Sequence, residues 1–359
     1  MFYQAKAVYP MSKSLEMNSF SAFRAQAEDL HETVLYLTAA TFYQLWVNGR
    51  FVSFGPARTA KGYARVDEIP LAAYTQKGKN EILILVAGYN CEAHSTVRQP
   101  SFLQAELRKG DTVLLYTGRD FEAYLPPHRV QKVRRYAMQR HFSEVWDFTG
   151  GKGYCDPAYG ADVEERKGAL KYLPRRAPYA HYADTEAAEI LAQGKLIFDE
   201  TLPVRQFPYS EEIVARKGRF EDQEILCQPY QWIQQHRQEI EKKHVPFPAA
   251  LSEMEYAFLD FGRVEAGFLQ LSARALEETE LVIGFSEDSQ EDAFQFTNMN
   301  AYNALPISCI ASTIQRRSVS SSAPSGAYIN PSATARVITE SSVMVEYLEK
   351  SGNSLVFIL

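Results

Sequence analysis

The stretch TFYQLWVNGRFV, residues 41–52, decides the fold class. Asn48-Gly49 lies between two apolar runs, and both residues tolerate the positive φ of a type I′ turn, so the flanking segments pair as a β-hairpin. Side chains alternate along a strand, which places Tyr43, Leu45 and Val47 on one face and Phe42, Gln44 and Trp46 on the other. The same texture continues outward in both directions. Upstream, TVLYL at 33–37 has strand character; downstream, the polar turn at 78–80 feeds EILILVA at 81–87. That unbroken apolar run, ended by Gly88, is the pattern of a central strand covered on both faces. FLQAEL at 102–107 and TVLLY at 112–116 then fold back on each other about Lys109-Gly110-Asp111. Many short strands at this spacing predict an antiparallel sandwich.

Residues 150–200 are looser, and Gly150–Gly153 and Leu173–Pro178 read as linker or surface-hugging chain. Composition predicts one short helix over 185–193 and a clearer one over about 231–243. The latter run of Gln, Glu, Arg and Lys has high helix propensity and is polar nearly all round, the mark of a surface helix. A second β-module opens near Tyr256: AFLDFG at 257–262, GFLQLSAR at 267–274 and ELVIGFSE at 280–287. After about residue 305 the texture changes. The last 53 residues hold 12 of the 25 serines and 3 of the 45 aromatics, too little apolar surface to offset the entropy of ordering. The expected architecture is all-β. It has two antiparallel, jelly-roll-like β-sandwich modules, one or two short surface helices and an irregular C-terminal tail. The divisions are 1–150 for the first sandwich, 151–305 for linker, surface helix and an incomplete second sandwich, and 306–359 for the tail. The terminal LVFIL at 355–359 reads as an uncharged, sticky end. Unpaired edges in an incomplete sandwich would template aggregation, so a chain ending near Asp147 is expected to behave better than the full one.

Composition removes several function classes. A net charge of −6 with scattered Arg and Lys offers no basic stripe for nucleic acid. No apolar run approaches the roughly 18–20 residues that cross a bilayer, and no charged-then-apolar leader opens the chain. Cys91, Cys155, Cys227 and Cys309 are widely spaced, with no CxxC or zinc-ligand pattern, so free thiols in a reducing cytoplasm are expected, with no metal and no cofactor. Aromatics at 13% suit pleated sheets first and sugar faces second.

Catalytic signatures fail in turn. His31-Glu32 begins an HExxH-like string that Leu35 breaks, and no P-loop, GxGxxG or GxSxG is present. Glu164-Glu165, Glu211-Glu212, Glu277-Glu278 and Glu287-Asp288 are adjacent acids whose side chains on a strand would point to opposite faces, so none frames a glycosidic bond. Each reads as solvated surface charge.

Six segments, in order, resemble the α-L-rhamnosidases of glycoside hydrolase family 78. MNSFSAFR at 17–24 is similar to the family's opening strand and FYQLWVNGR at 42–50 to its VNG hairpin. GPAR at 55–58 with GYARVD at 62–67, and GYN at 88–90 with QPSFLQAE at 99–106, resemble two further blocks. KYLPRRAP at 171–178 resembles the crossover, and LDFGR at 259–263 with AGF at 266–268 the start of its second sandwich. The resemblance spans about residues 5–300. It implies an inverting enzyme that releases terminal α-L-rhamnose, with its acids on an (α/α)6 barrel that follows these sandwiches and is missing from this chain, so no catalytic residue carries over. The composition break near 305 leads to the expectation of a frameshift or premature stop there.

The function expected is therefore that of an accessory, carbohydrate-associated N-terminal part of a rhamnosidase, itself without hydrolytic activity. A rhamnose-containing glycan is the expected partner, and neither nucleic acid nor membrane is. Arg58, Tyr63, Tyr89 and Trp146 are the candidate sugar contacts, because Arg forks and aromatic faces suit hydroxyls and sugar rings; each could instead pack or pin a loop. The alternative is a structural or protein-interaction sandwich that binds no sugar.

Overall fold

The computed structural model describes residues 1–94, 96–135, 141–149, 153–182, 189–203, 208–226, 234–246, 250–260, 268, 273–274, 279–286, 289–290, 293–294, 297–298, 301–302, 304–309, 327–329 and 354–358. The chain divides into two compact units. The first comprises residues 1–127, 153–181 and 217–219, and the second the remainder.

The first unit is a two-sheet sandwich. Its strands in chain order are β1 (Val8–Pro10), β2 (Ser19–Ala27), β3 (Thr33–Ala40), β4 (Phe42–Val47), β5 (Arg50–Gly55), β6 (Tyr63–Pro70) and β7 (Asn80–Gly88). There follow β8 (Phe102–Lys109), β9 (Thr112–Tyr116), β10 (Glu122–Tyr124), β11 (Gly160–Ala161), β12 (Val163–Glu165) and β13 (Lys171–Pro174). One sheet runs β12-β1-β8-β3-β6-β13, with β9 also on β8; the other runs β11-β10-β2-β7-β4-β5. The Asn48-Gly49 turn has φ of 50° and 71°, the left-handed pair that a type I′ hairpin requires. β7 sits between β2 and β4, as the unbroken apolar run implied. Phe23, Leu35, Leu37, Tyr43, Leu45, Val47, Ile84, Val86, Leu103 and Leu107 fill the space between the sheets, all wholly buried. Alternation of period two has put them there.

The outer face of the first sheet is sealed by the chain's own first residues. Glu106 on β8 is buried, and its carboxylate accepts the backbone N–H groups of Tyr3 at 3.0 Å, Gln4 at 2.6 Å and Ala5 at 2.8 Å. Arg108 pairs with the same carboxylate, and its guanidinium lies between the rings of Tyr3, at 3.6 Å, and Tyr36, at 4.0 Å. Burial alone would push the Glu106 carboxyl up. The three backbone donors and Arg108 outweigh it and hold the group below the ordinary glutamate range. Glu106→Ala should therefore destabilise by about 3–5 kcal/mol, because it leaves the buried Arg108 without its counter-charge and three amides without an acceptor. The ionic contribution is complete above the unfolded-state value of about 4.3 and disappears as pH falls through the lower folded-state value. Urea unfolding of wild type and variant between pH 7 and pH 3 checks both: the gap between them should narrow only on the acid side.

The second unit has a seven-stranded sheet in the order Trp146–Asp147, Ala304–Cys309, Thr279–Ser286, Ser354–Ile358, Glu255–Asp260, Glu189–Phe198, His236–Val245. The first pairing is parallel and the rest are antiparallel. A three-stranded ribbon of Ala250–Leu251, Ala327–Ile329 and Ala273–Arg274 and two short hairpins accompany it.

Three expectations need correction here. The helix over about 231–243 is instead the strand His236–Val245, paired along its length with Glu189–Phe198, which itself replaces most of the helix expected over 185–193; residues 185–188 and 231–233 lie outside those described. Alternation explains the outcome: His236 is buried and Gln238 and Ile240 half-buried, while Arg237, Glu239 and Glu241 are exposed. Cross-strand pairing overrides a weak intrinsic propensity. The charges suit an outermost strand, since they discourage a further strand from adding to it. The α-helix among the described residues is Pro208–Lys217, which the sequence reading passed over. Its signals were local: Pro at the first position, acids in the first turn, a Glu212–Arg216 ion pair one turn apart. Finally, the segment read as a sticky end supplies Ser354–Ile358, which pairs on both sides within the large sheet. Most of the rest of the expected tail lies outside the described residues.

Candidate binding edge of the first sandwich

Two of the resemblance segments, GYARVD and KYLPRRAP, meet at one edge of the sandwich. β13 runs parallel to β6 with Lys171 opposite Tyr63, Leu173 opposite Arg65 and Pro174 opposite Val66. The edge is locked from within. Asp67, wholly buried, accepts the Tyr43 hydroxyl on one carboxylate oxygen and the Arg175 guanidinium, at 3.1 Å, on the other. Arg175 also donates to the carbonyls of Ala177 and Pro178, both at 3.0 Å, and covers the Tyr179 ring at 4.4 Å. The Tyr179 hydroxyl exchanges hydrogen bonds with the backbone of Glu68 on β6. Gly55 closes the arrangement: a Cβ there would come within 2.8 Å of the Tyr43 hydroxyl and closer still to Asp67. Burial pushes the Asp67 carboxyl up, partly offset by its two donors, and burial followed by the neighbouring carboxylate pushes the Tyr43 hydroxyl well up. The cluster is a fastening that ties residues 171–179 to the sheet. Asp67 is wholly buried and both of its oxygens are engaged.

Outside this fastening lie groups that solvent can reach. Tyr63 is half-buried, with the Lys171 ammonium 5.5 Å from its ring centre. Arg65 donates to the carbonyls of Arg58, at 2.8 Å, and Pro174, at 3.2 Å. Arg58 and Lys61 are exposed in the loop of residues 56–62 that joins β5 to β6. Two of the four expected sugar contacts, Arg58 and Tyr63, are thus brought together.

The other two are placed differently. Tyr89 is buried, its ring edge-on to Phe42 at 6.3 Å. Trp146, in the second unit, is wholly buried, stacked over Phe148 at 5.8 Å with its indole N–H donating to Glu144 at 2.9 Å. Neither ring offers a face to a ligand in this structure, and packing accounts for both. Reading the sequence missed Arg65, Lys171, Asp67 and Arg175. All four sit in quoted segments, but the two ends of the Asp67–Arg175 pair lie 108 positions apart, and no local pattern joins them. Among the described residues, no group of three or more His, Cys, Asp or Glu converges as a metal site would require, and no helix is long and apolar enough to cross a membrane.

A two-sheet sandwich followed by a second, sheet-dominated unit defines an all-β class. Among solved structures the GH78 family rhamnosidase of Bacillus sp. GL1 shares this fold, with a TM-score of 0.74 at 12% identity over 100% of this chain and 53% of that one. The α-L-rhamnosidase from Dictyoglumus thermophilum aligns with a TM-score of 0.50 at 11% identity, over 99% of this chain and 34% of that one. The chain spans about half the length of the first and a third of the second. No protein-family description matches its sequence, and no curated protein is similar to it in sequence.

Proposed function

We propose that this chain is the non-catalytic, carbohydrate-associated sandwich portion of an α-L-rhamnosidase-type protein. It acts as scaffold and sugar contact, while hydrolysis of terminal α-L-rhamnose belongs to a helical barrel outside it. The observation that carries this reading is the fold shared with the Bacillus enzyme over the whole of this chain and only 53% of that one. The buried acids support it. Inverting glycoside hydrolysis needs two carboxyls about 6.5–9.5 Å apart across a water and a sugar. Here Asp67 is held by Tyr43 and Arg175, Glu106 by three amides and Arg108, and Glu144 by the Trp146 indole. The four cysteines, widely spaced and without a CxxC pattern, suit a reducing, cytoplasmic location.

Titration of the full chain with L-rhamnose tests the sugar contact. Saturable binding in the millimolar range is expected, weakened about tenfold, or ~1.4 kcal/mol, by Tyr63→Ala. Absence of binding would favour the second reading, a structural sandwich without sugar, which the burial of Tyr89 and Trp146 recommends.

A further inference from the structure

The β6–β13 edge carries four cations that the proposed sugar contact does not by itself require. Tyr63 and Arg65 lie two residues apart on β6, so they share a face at about 6.6 Å spacing. The parallel register puts Lys171 beside Tyr63 on that face. Arg58 and Lys61 project from the adjoining loop, whose Arg58 carbonyl is held by Arg65 and whose Gly62 carbonyl accepts the Lys171 amide at 3.0 Å. Among the described residues none of the four cations has a salt-bridge partner, and Arg65 and Lys171 have only carbonyl or ring neighbours. Of the two acids on the strand, Asp67 shares the face but is paired with Arg175, and Glu68 falls on the opposite face by alternation. In a chain of net charge −6, two cations beside one aromatic ring on a strand face, with two more exposed in the adjoining loop, are a local reversal of sign.

We infer that this face binds an acidic saccharide, a sugar chain whose carboxylate lies beside the ring seated on Tyr63. The inference deepens the sugar-contact reading above and rests on it. Guanidinium and ammonium groups complement a carboxylate, the Arg forks in bidentate fashion. The half-buried Tyr63 ring supplies the apolar platform that a bare anion would not need. The patch is short, two residues of strand and one loop, and the rest of the chain repels extended polyanions. That favours a uronate over a nucleic acid, whose binding draws on many phosphates.

The test uses the full chain at 50 mM NaCl with four probes measured separately by calorimetry: L-rhamnose, an oligogalacturonate, its methyl ester and a single-stranded oligonucleotide. The oligogalacturonate should bind at least tenfold more tightly than the ester and lose most of that advantage in 0.5 M NaCl, where exposed charges are screened. Lys171→Glu should bring the acid oligomer down to the ester's level. Lys61→Glu, in an exposed loop that tolerates change, should weaken it several-fold and serves if the strand variant does not fold. Equal binding of acid and ester, or tighter binding of the oligonucleotide, would overturn the inference. Rhamnose binding reports on the underlying sugar contact by itself, so the two failures are told apart.

Discussion

Replacing Arg175 with methionine should cost the first sandwich about 3–5 kcal/mol at pH 7, because it leaves the wholly buried Asp67 carboxylate without its cation. The loss should shrink in acid. In the variant, burial is opposed only by the Tyr43 hydroxyl, so the folded-state value of Asp67 rises further above its unfolded value. A carboxyl raised on folding binds its proton more tightly in the native state, so stability falls as pH climbs through that folded-state value and is recovered below the unfolded one. Adding Asp67→Asn to Arg175→Met should restore part of the loss, since the uncompensated charge is gone; the pair is in direct contact and will not be additive. Chemical unfolding of the wild type and the two variants at pH 5 and pH 7 measures this. A cost below about 1 kcal/mol, the range of an exposed ion pair, would show that the fastening does not hold the edge.

A chain ending at Asp147 should fare far worse than one ending at His181, so the boundary near 147 expected from the sequence would cut the first unit short. Residues 153–181 belong to the first unit and supply β11, β12 and β13. Ending at 147 strips one of two strand partners from each of β10, β1 and β6, and takes Arg175 away from Asp67. Three exposed ladders are templates for aggregation. The buried pair alone, at about 3–5 kcal/mol, corresponds to a melting temperature lower by roughly 6–20 °C for a unit of this size. The 181-residue chain should melt in one cooperative step. If both melt alike, the strands after residue 152 are ornaments and not part of the sandwich.

What the sequence made legible follows from the range of each interaction. The β4–β5 hairpin was readable because Asn48-Gly49 acts through its own φ angles, and β7 because the unbroken run at 81–87 carries the signal. The pairing of Glu189–Phe198 with His236–Val245 was not. Each strand on its own has helix-favouring composition, and only the partner, some forty residues away, makes the extended form better. At the candidate edge, Arg58 and Tyr63 were legible as residue types suited to sugar, but type says nothing of exposure. Tyr89 and Trp146 have the same chemistry and spend it on Phe42, Phe148 and Glu144. The fastening between Asp67 and Arg175, which fixes where that edge sits, is a long-range contact between two individually ordinary charges.

The division of labour between a sugar-contacting sandwich and chemistry performed elsewhere is tested most directly by offering the purified full chain an aryl α-L-rhamnoside. A preparation shown to unfold cooperatively should release no aryl alcohol above the buffer blank. Sustained release that follows the protein through purification would contradict it.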